Sequence, residues 1–173
     1  MKERSGQLVT ERLVLKQLEE GDRESLLRIV SDSRVKRTYM LPDFENQEKA
    51  DAFFRRMREL SAAPERFVYG VFLNGELIGF LNETETEGTS VEVGYFIAPE
   101  CWNRGYATEA LQAAVAELFR MGFECVTAGY FVGNIASRRV MEKCGMHPLE
   151  KETEVEYRGA VRRCRFLSIG KPA

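Results

Sequence analysis

The chain has 173 residues, 44% apolar and 30% charged, with 25 basic against 27 acidic side chains. At ~150 residues per domain this length predicts one domain spanning 1–173 with its core at about 8–169, and the near-neutral balance argues against a nucleic-acid partner. One histidine and four scattered cysteines (Cys101, Cys125, Cys144, Cys164) exclude a two-histidine metal site and give neither zinc-ligand spacing nor a disulfide framework. With no stretch long enough for a membrane span and no signal-peptide pattern at the N-terminus, no membrane partner and a cytoplasmic location are expected.

Leu8, Leu13 and Leu15 mark an N-terminal extended segment. Gly21-Asp22 opens a helix with Asp22 as its cap and Leu26, Leu27 and Val30 on the inner face. A second helix starts near Asn46, carries Ala50, Phe53, Phe54, Met57 and Leu60 at helical spacing, and stops before Pro64. Phe67–Leu73 and Glu76–Glu83 form a hairpin about Asn74-Gly75, since both central residues of a type I′ turn need positive φ.

Ser90–Ala98 is the next strand, leading through Pro99–Gly105 into a long helix. Ala107, Leu111, Ala114, Val115 and Leu118 give this helix its apolar stripe, and Gly122 ends it with Phe123 over Leu118. A strand at Cys125–Val132 precedes a short helix capped by Asn134 and closed by Gly145. Met146–Ile169 reads as two strands turning at Arg158-Gly159. The mixed order predicts an α+β (α/β) sheet with helices on its faces.

Two segments carry the chemistry. Val91-Glu92-Val93-Gly94-Tyr95-Phe96-Ile97 followed by Trp102-Asn103-Arg104-Gly105-Tyr106-Ala107-Thr108 is a strand, a tight turn and a helix start. First-turn amides lack intrahelical partners and the helix dipole favours negative charge, so this is an anion site. Gly105 and Ala107 let a diphosphate approach the backbone, and Asn103 and Arg104 add donors at the rim. The second segment, Asn134-Ile135-Ala136-Ser137 through Glu142-Lys143-Cys144-Gly145-Met146, follows the next strand.

Together these segments resemble the GNAT superfamily of acyl-CoA-dependent N-acyltransferases. Thr10-Glu11-Arg12-Leu13-Val14-Leu15 resembles the opening strand of its ribosomal-protein N-terminal acetyltransferase-like branch. The resemblance implies a mixed, mostly antiparallel sheet splayed between its fourth and fifth strands (91–97 and 125–132), with acetyl-CoA as co-substrate in the V and no metal. The pantetheine arm would pair with backbone at Tyr95, Phe96 and Ile97, and the pyrophosphate would meet amides from Arg104 to Thr108. Many members carry Gln or Arg three residues before the glycine, where this chain has Trp102, which either packs under the turn or contacts ligand.

From this cofactor the chemistry follows. A neutral amine attacks the thioester directly, N–H groups near Phe96 and Ile97 hold the oxyanion, and a base takes the ammonium proton, directly or through water. Glu92 is the first candidate base, sharing a strand face with Gly94 and Phe96, against the reading of a solvent-facing carboxylate. Glu109 instead suits the helix dipole. Where many members have a Tyr, this chain has Met141, which cannot donate to the leaving thiolate; Ser137 is the candidate donor. Asn134 caps its helix and is a second contact for the pantetheine arm. His147 reads as structural or surface.

Arg104, Arg138, Arg139 and Lys143 flank the motif helices, within reach of a 3′-phosphate, whereas Arg162, Arg163 and Arg165 read as strand-edge charges. From Glu76 to Glu100 lie six acids and no Lys or Arg, either a solvated hairpin end or a rim that attracts a cationic amine. The sequence thus predicts an acetyl-CoA-dependent N-acetyltransferase acting on a primary amine, a protein N-terminus or a small molecule, with a homodimer as the family-level expectation. The alternatives are a catalytically weak acyl-CoA-binding domain and, disfavoured by the absence of GxGxxG, a dinucleotide-binding domain.

Overall fold

The computed structural model describes residues 1–172. One eight-stranded sheet organises every element, in the order β1-β2-β3-β4-β5-β6-β8-β7. The N-terminal segment is not one strand but two, β1 (Gln7–Val9) and β2 (Leu13–Lys16), because Thr10 turns the chain: its N–H donates to Leu13 O and its hydroxyl oxygen accepts from Leu13 N. The strands β3 (Val68–Leu73), β4 (Glu76–Glu87) and β5 (Ser90–Ile97) then pair antiparallel in sequence order. Asn74 and Gly75 hold the expected positive φ of 51° and 83°. β6 (Cys125–Phe131) joins β5 in parallel, and the hairpin of β7 (His147–Tyr157) and β8 (Ala160–Gly170) completes the sheet.

The helices divide between the two faces. On one face lie α1 (Arg23–Ser31), the four-residue α2 (Ser33–Lys36), which sequence periodicity is too short to reveal, and α3 (Gln47–Ala62). Leu26, Ile29, Val30 and Phe54 pack there with Phe80 and Phe96. Ile29 takes the fully buried place expected of Leu27, which is only partly covered. Asp22 does not cap α1 with its side chain but accepts from the Glu19 amide at 2.7 Å. Asn46 caps α3 as expected, accepting from Lys49 N at 3.0 Å.

The opposite face carries α4 (Tyr106–Met121) and α5 (Ile135–Lys143), whose Leu111, Ala114, Leu118 and Met141 are fully buried. Covered on both sides, β3 is apolar along most of its length instead of alternating. Phe123 is buried and its N–H bonds Leu118 O at 3.1 Å, so α4 ends as its Gly122 predicts. At this end of the sheet the edge strand is β7. β8 lies inside the sheet, and its Arg163 and Arg165 are therefore not edge charges but pair across to Glu152 of β7. Among the described residues no helix is long and apolar enough to cross a membrane.

Candidate active site

The sheet opens where two strands stop sharing hydrogen bonds. β5 pairs with β4 as far as Ile97, but with β6 only from Ser90–Cys125 to Val93–Ala128. Beyond Val93 the strands part, giving the expected V. The Ala98 N–H bonds Ile78 O on the β4 side. Backbone direction alternates along a strand, so the Phe96 amide also serves β4, while those of Tyr95 and Ile97 face the gap. Of Phe96 and Ile97, whose amides are expected to serve an oxyanion, Ile97 alone thus turns its N–H to the gap. The Phe96 ring is buried on the α1 side against Phe80 and Tyr39. Trp102 is 38% exposed, and its indole N–H donates to Ile97 O at 2.7 Å, tying the following turn to the strand end.

That turn delivers α4 to the gap. Asn103 and Gly105 have φ of 59° and 82°, and Gly105, as N-cap, provides no capping side chain. The amides of Tyr106, Ala107 and Thr108 at the start of the helix therefore remain for an outside acceptor. Asn103 and Arg104 are exposed at the rim.

Arg12 braces the turn from beneath. Its Nη1 donates to Arg104 O at 2.9 Å, its Nε to Glu109 Oε2 at 2.7 Å, and its guanidinium lies 4.6 Å from the Tyr106 ring centre. Glu109 accepts in addition from Thr10 Oγ1 at 2.6 Å and Arg12 N at 2.7 Å, so it anchors the N-terminal turn instead of answering the dipole alone. Beside this brace runs a groove of about 650 Å³ lined by Thr10, Arg12, Gly105, Thr108, Gln112 and Lys143.

Burial by itself raises the Glu109 pKa, but the Thr10 and Arg12 hydrogen bonds outweigh it and the net shift is downward. A lowered carboxyl stabilises the fold above its unfolded pKa, and that contribution is lost as pH falls through the lower folded value. Glu109→Ala is therefore expected to cost about 1–3 kcal/mol at neutral pH. The difference in melting temperature from the unsubstituted protein should shrink in acid. An equal deficit at every pH would show that the carboxylate's charge is not what matters.

Across the gap, Asn134 caps α5, its Oδ1 accepting from Ser137 N at 3.1 Å. Ser137 Oγ lies 2.9 Å from Tyr95 Oη, so β5 and the first turn of α5 meet through two hydroxyls. Met141 is fully buried in the core. Arg138 is tied to Glu142 at 2.8 Å, leaving Arg139 as the exposed cation of this turn.

Glu92 lies on the other face of β5, below the point where the V opens. Burial raises its pKa; the Thr84 hydroxyl, 3.2 Å away, and the charge of Lys151 oppose this, and Glu85 reinforces it. Two loops bound this side. Tyr39 stands over Gly94, where a Cβ would come within 2.4 Å of its hydroxyl, and donates to Asn82 Oδ1 at 3.0 Å. Tyr157, at the end of β7, stacks on Phe131 and receives the Leu41 amide, while neighbouring Arg158 pairs with Asp43. Tyr39, from the segment after α2, therefore borders the Glu92 side of β5. Tyr39, Asn82 and Tyr157 carry no local sequence signal, because only the tertiary fold brings them together.

The acids between Glu76 and Glu100 do not form one rim. Glu83 pairs with Arg66 and Glu100 with Arg28, and Glu85 stands opposite Glu92 on the neighbouring strand. His147 is exposed at the start of β7.

A split sheet with a glycine-capped helix start at its opening is the acyl-CoA N-acyltransferase fold. A family model described as an acetyltransferase (GNAT) domain matches residues 12–147. The uncharacterized N-acetyltransferase YoaA of Bacillus subtilis (strain 168) is 30% identical over 143 residues, 80% of this chain and 81% of its own. A GNAT-family acetyltransferase of Bacillus anthracis superposes with a TM-score of 0.80 at 26% identity, over 95% of this chain and 98% of that one. RimL, a ribosomal L7/L12 α-N-protein acetyltransferase solved with coenzyme A, shares the fold with a TM-score of 0.79 at 18% identity, over 94% and 96% of the two chains. The chain belongs to the GNAT acetyltransferase family and is an N-acetyltransferase.

Proposed function

We propose that this enzyme transfers acetyl from acetyl-CoA directly to a primary amine, either a small molecule or the N-terminus of a protein. The observation that carries the reading is the gap past Val93 and Ala128 opening beside the unengaged amides of Tyr106 to Thr108. An extended pantetheine arm fits such a gap, using backbone groups of Tyr95 and Ile97, with Asn134 at its far wall. A diphosphate suits the helix start, with Asn103, Arg104 and Gly105 around it. Lys143, in the groove beside Gly105, and Arg139 are the cations for the remaining phosphate.

In the transfer, the amine nitrogen attacks the thioester carbon from the Glu92 side. The Ile97 amide stabilises the developing oxyanion. Glu92, directly or through a water, takes the proton the amine must lose; its raised pKa makes it a better base than an exposed carboxylate. Ser137 donates a hydrogen bond to the departing sulfur.

The test has two arms. Calorimetric titration with CoA should show binding at one site per chain. A mass-shift screen with acetyl-CoA over peptides, polyamines and aminoglycosides should yield a product 42 Da heavier, by roughly one acetyl in place of hydrogen, and so name the acceptor class. Binding without turnover on any amine would make the chain an acyl-CoA-binding domain, and no binding would end the reading altogether.

A further inference from the structure

The acetyl-CoA reading leaves open how Ser137 is held ready, and Tyr95 answers this. A serine hydroxyl has one hydrogen and rotates freely, so it donates in a fixed direction only when its oxygen is already engaged as an acceptor. Tyr95 Oη stands 2.9 Å from Ser137 Oγ and 3.2 Å from Ser137 O. The carbonyl can only accept, so the phenol hydrogen points at Ser137, and shared between the two oxygens it engages Oγ as an acceptor and leaves the serine hydrogen unspent. The Ser137 amide is in turn fixed by Asn134, so the residue is gripped at backbone and side chain. Met141, one turn further along α5, is sealed in the core and has no hydrogen to give.

We propose that Tyr95 is a positioning residue that donates to Ser137 Oγ and so turns the serine hydrogen toward the departing sulfur. The inference rests on the acetyl-CoA reading above. As the amine N–C bond forms, the C–S bond breaks and its electron pair leaves on sulfur. The amine proton passes to Glu92, while Ser137 keeps its hydrogen and shares it with the thiolate in a hydrogen bond. Tyr95 transfers nothing: burial pushes its phenol pKa up, so it remains a donor throughout the working pH range.

The pKa of enzyme-bound CoA tests this without any acceptor. Thiolate absorbance is followed against pH for CoA complexes, with desulfo-CoA complexes as the reference that cancels protein absorbance. The assay compares the unsubstituted enzyme, Tyr95→Phe, Ser137→Ala and the double variant. A donor to the thiolate lowers the bound thiol pKa, so Ser137→Ala should raise it by about one unit. Tyr95→Phe should raise it by roughly half of that, and the double variant should match Ser137→Ala, because Tyr95 acts only through Ser137. An unmoved or lowered value in Tyr95→Phe, or two shifts that simply add, would overturn the proposal. Failure of the unsubstituted enzyme to bind CoA, seen separately by calorimetry, would instead remove the reading on which it rests.

Discussion

Glu92→Gln is expected to lower kcat/KM by about 10²- to 10⁴-fold, the range for loss of a positioned general base, with CoA affinity unchanged. The substitution keeps the shape of the side chain and an oxygen for the Thr84 hydroxyl, 3.2 Å away in the parent. What it removes is the basic carboxylate. In the unsubstituted enzyme kcat/KM should rise with pH as Glu92 loses its proton, around a pKa above the ordinary carboxylate value. In Glu92→Gln that rising limb should disappear. A variant within about threefold of the parent rate, with the same limb, would place the base elsewhere.

The same substitution has an opposite effect on stability. Because burial raises the Glu92 pKa in the folded state, the folded chain binds more protons than the unfolded one between the two values. Stability therefore falls as pH rises through that window, and the penalty persists above it. Glu92→Gln should melt at a higher temperature than the parent at neutral pH, while working far more slowly. That pairing is what a functional carboxylate predicts and a solvent-facing one does not.

The parts of the molecule legible in the sequence are those specified by neighbours in the chain. Asn74-Gly75, Asn46, Asn134 and Gly122 each set a turn or a helix end through their own backbone or side-chain chemistry, and each stands where its spacing predicts. The Gly105 turn and the strand before it were legible for the same reason. What pattern could not supply was long-range pairing. Thr10 breaks the N-terminal segment into two strands, and the role of Arg12 emerges only where the resulting turn meets Arg104 and Glu109. The Phe96 amide is committed to β4 by a register that no single strand reveals. Tyr39 and Tyr157 meet beside Glu92 from positions 118 residues apart, through a hydrogen bond between a phenol and a backbone carbonyl. Such a contact leaves no periodic trace.

Gly105→Glu should abolish measurable CoA binding, a loss of at least about 100-fold, and the reasons separate experimentally. At φ 82° any side chain is strained, at a cost of roughly 1–2 kcal/mol per residue in the left-handed region. A Cβ would also stand 3.2 Å from Arg12 Nη2, pressing on the brace that shapes the turn. The carboxylate then adds negative charge at the helix start where the diphosphate is proposed to sit, which is repulsive in addition to being bulky. Gly105→Ala carries the strain and the contact but no charge; its free turn relaxes away from the shape that binding requires, and restoring that shape should cost about tenfold in affinity, roughly 1.4 kcal/mol. Calorimetry on both variants, with melting temperature to show that each remains folded, resolves the two contributions. If Gly105→Glu is folded and binds CoA as the parent does, the phosphates lie elsewhere, and the amides of Tyr106 to Thr108 have another use.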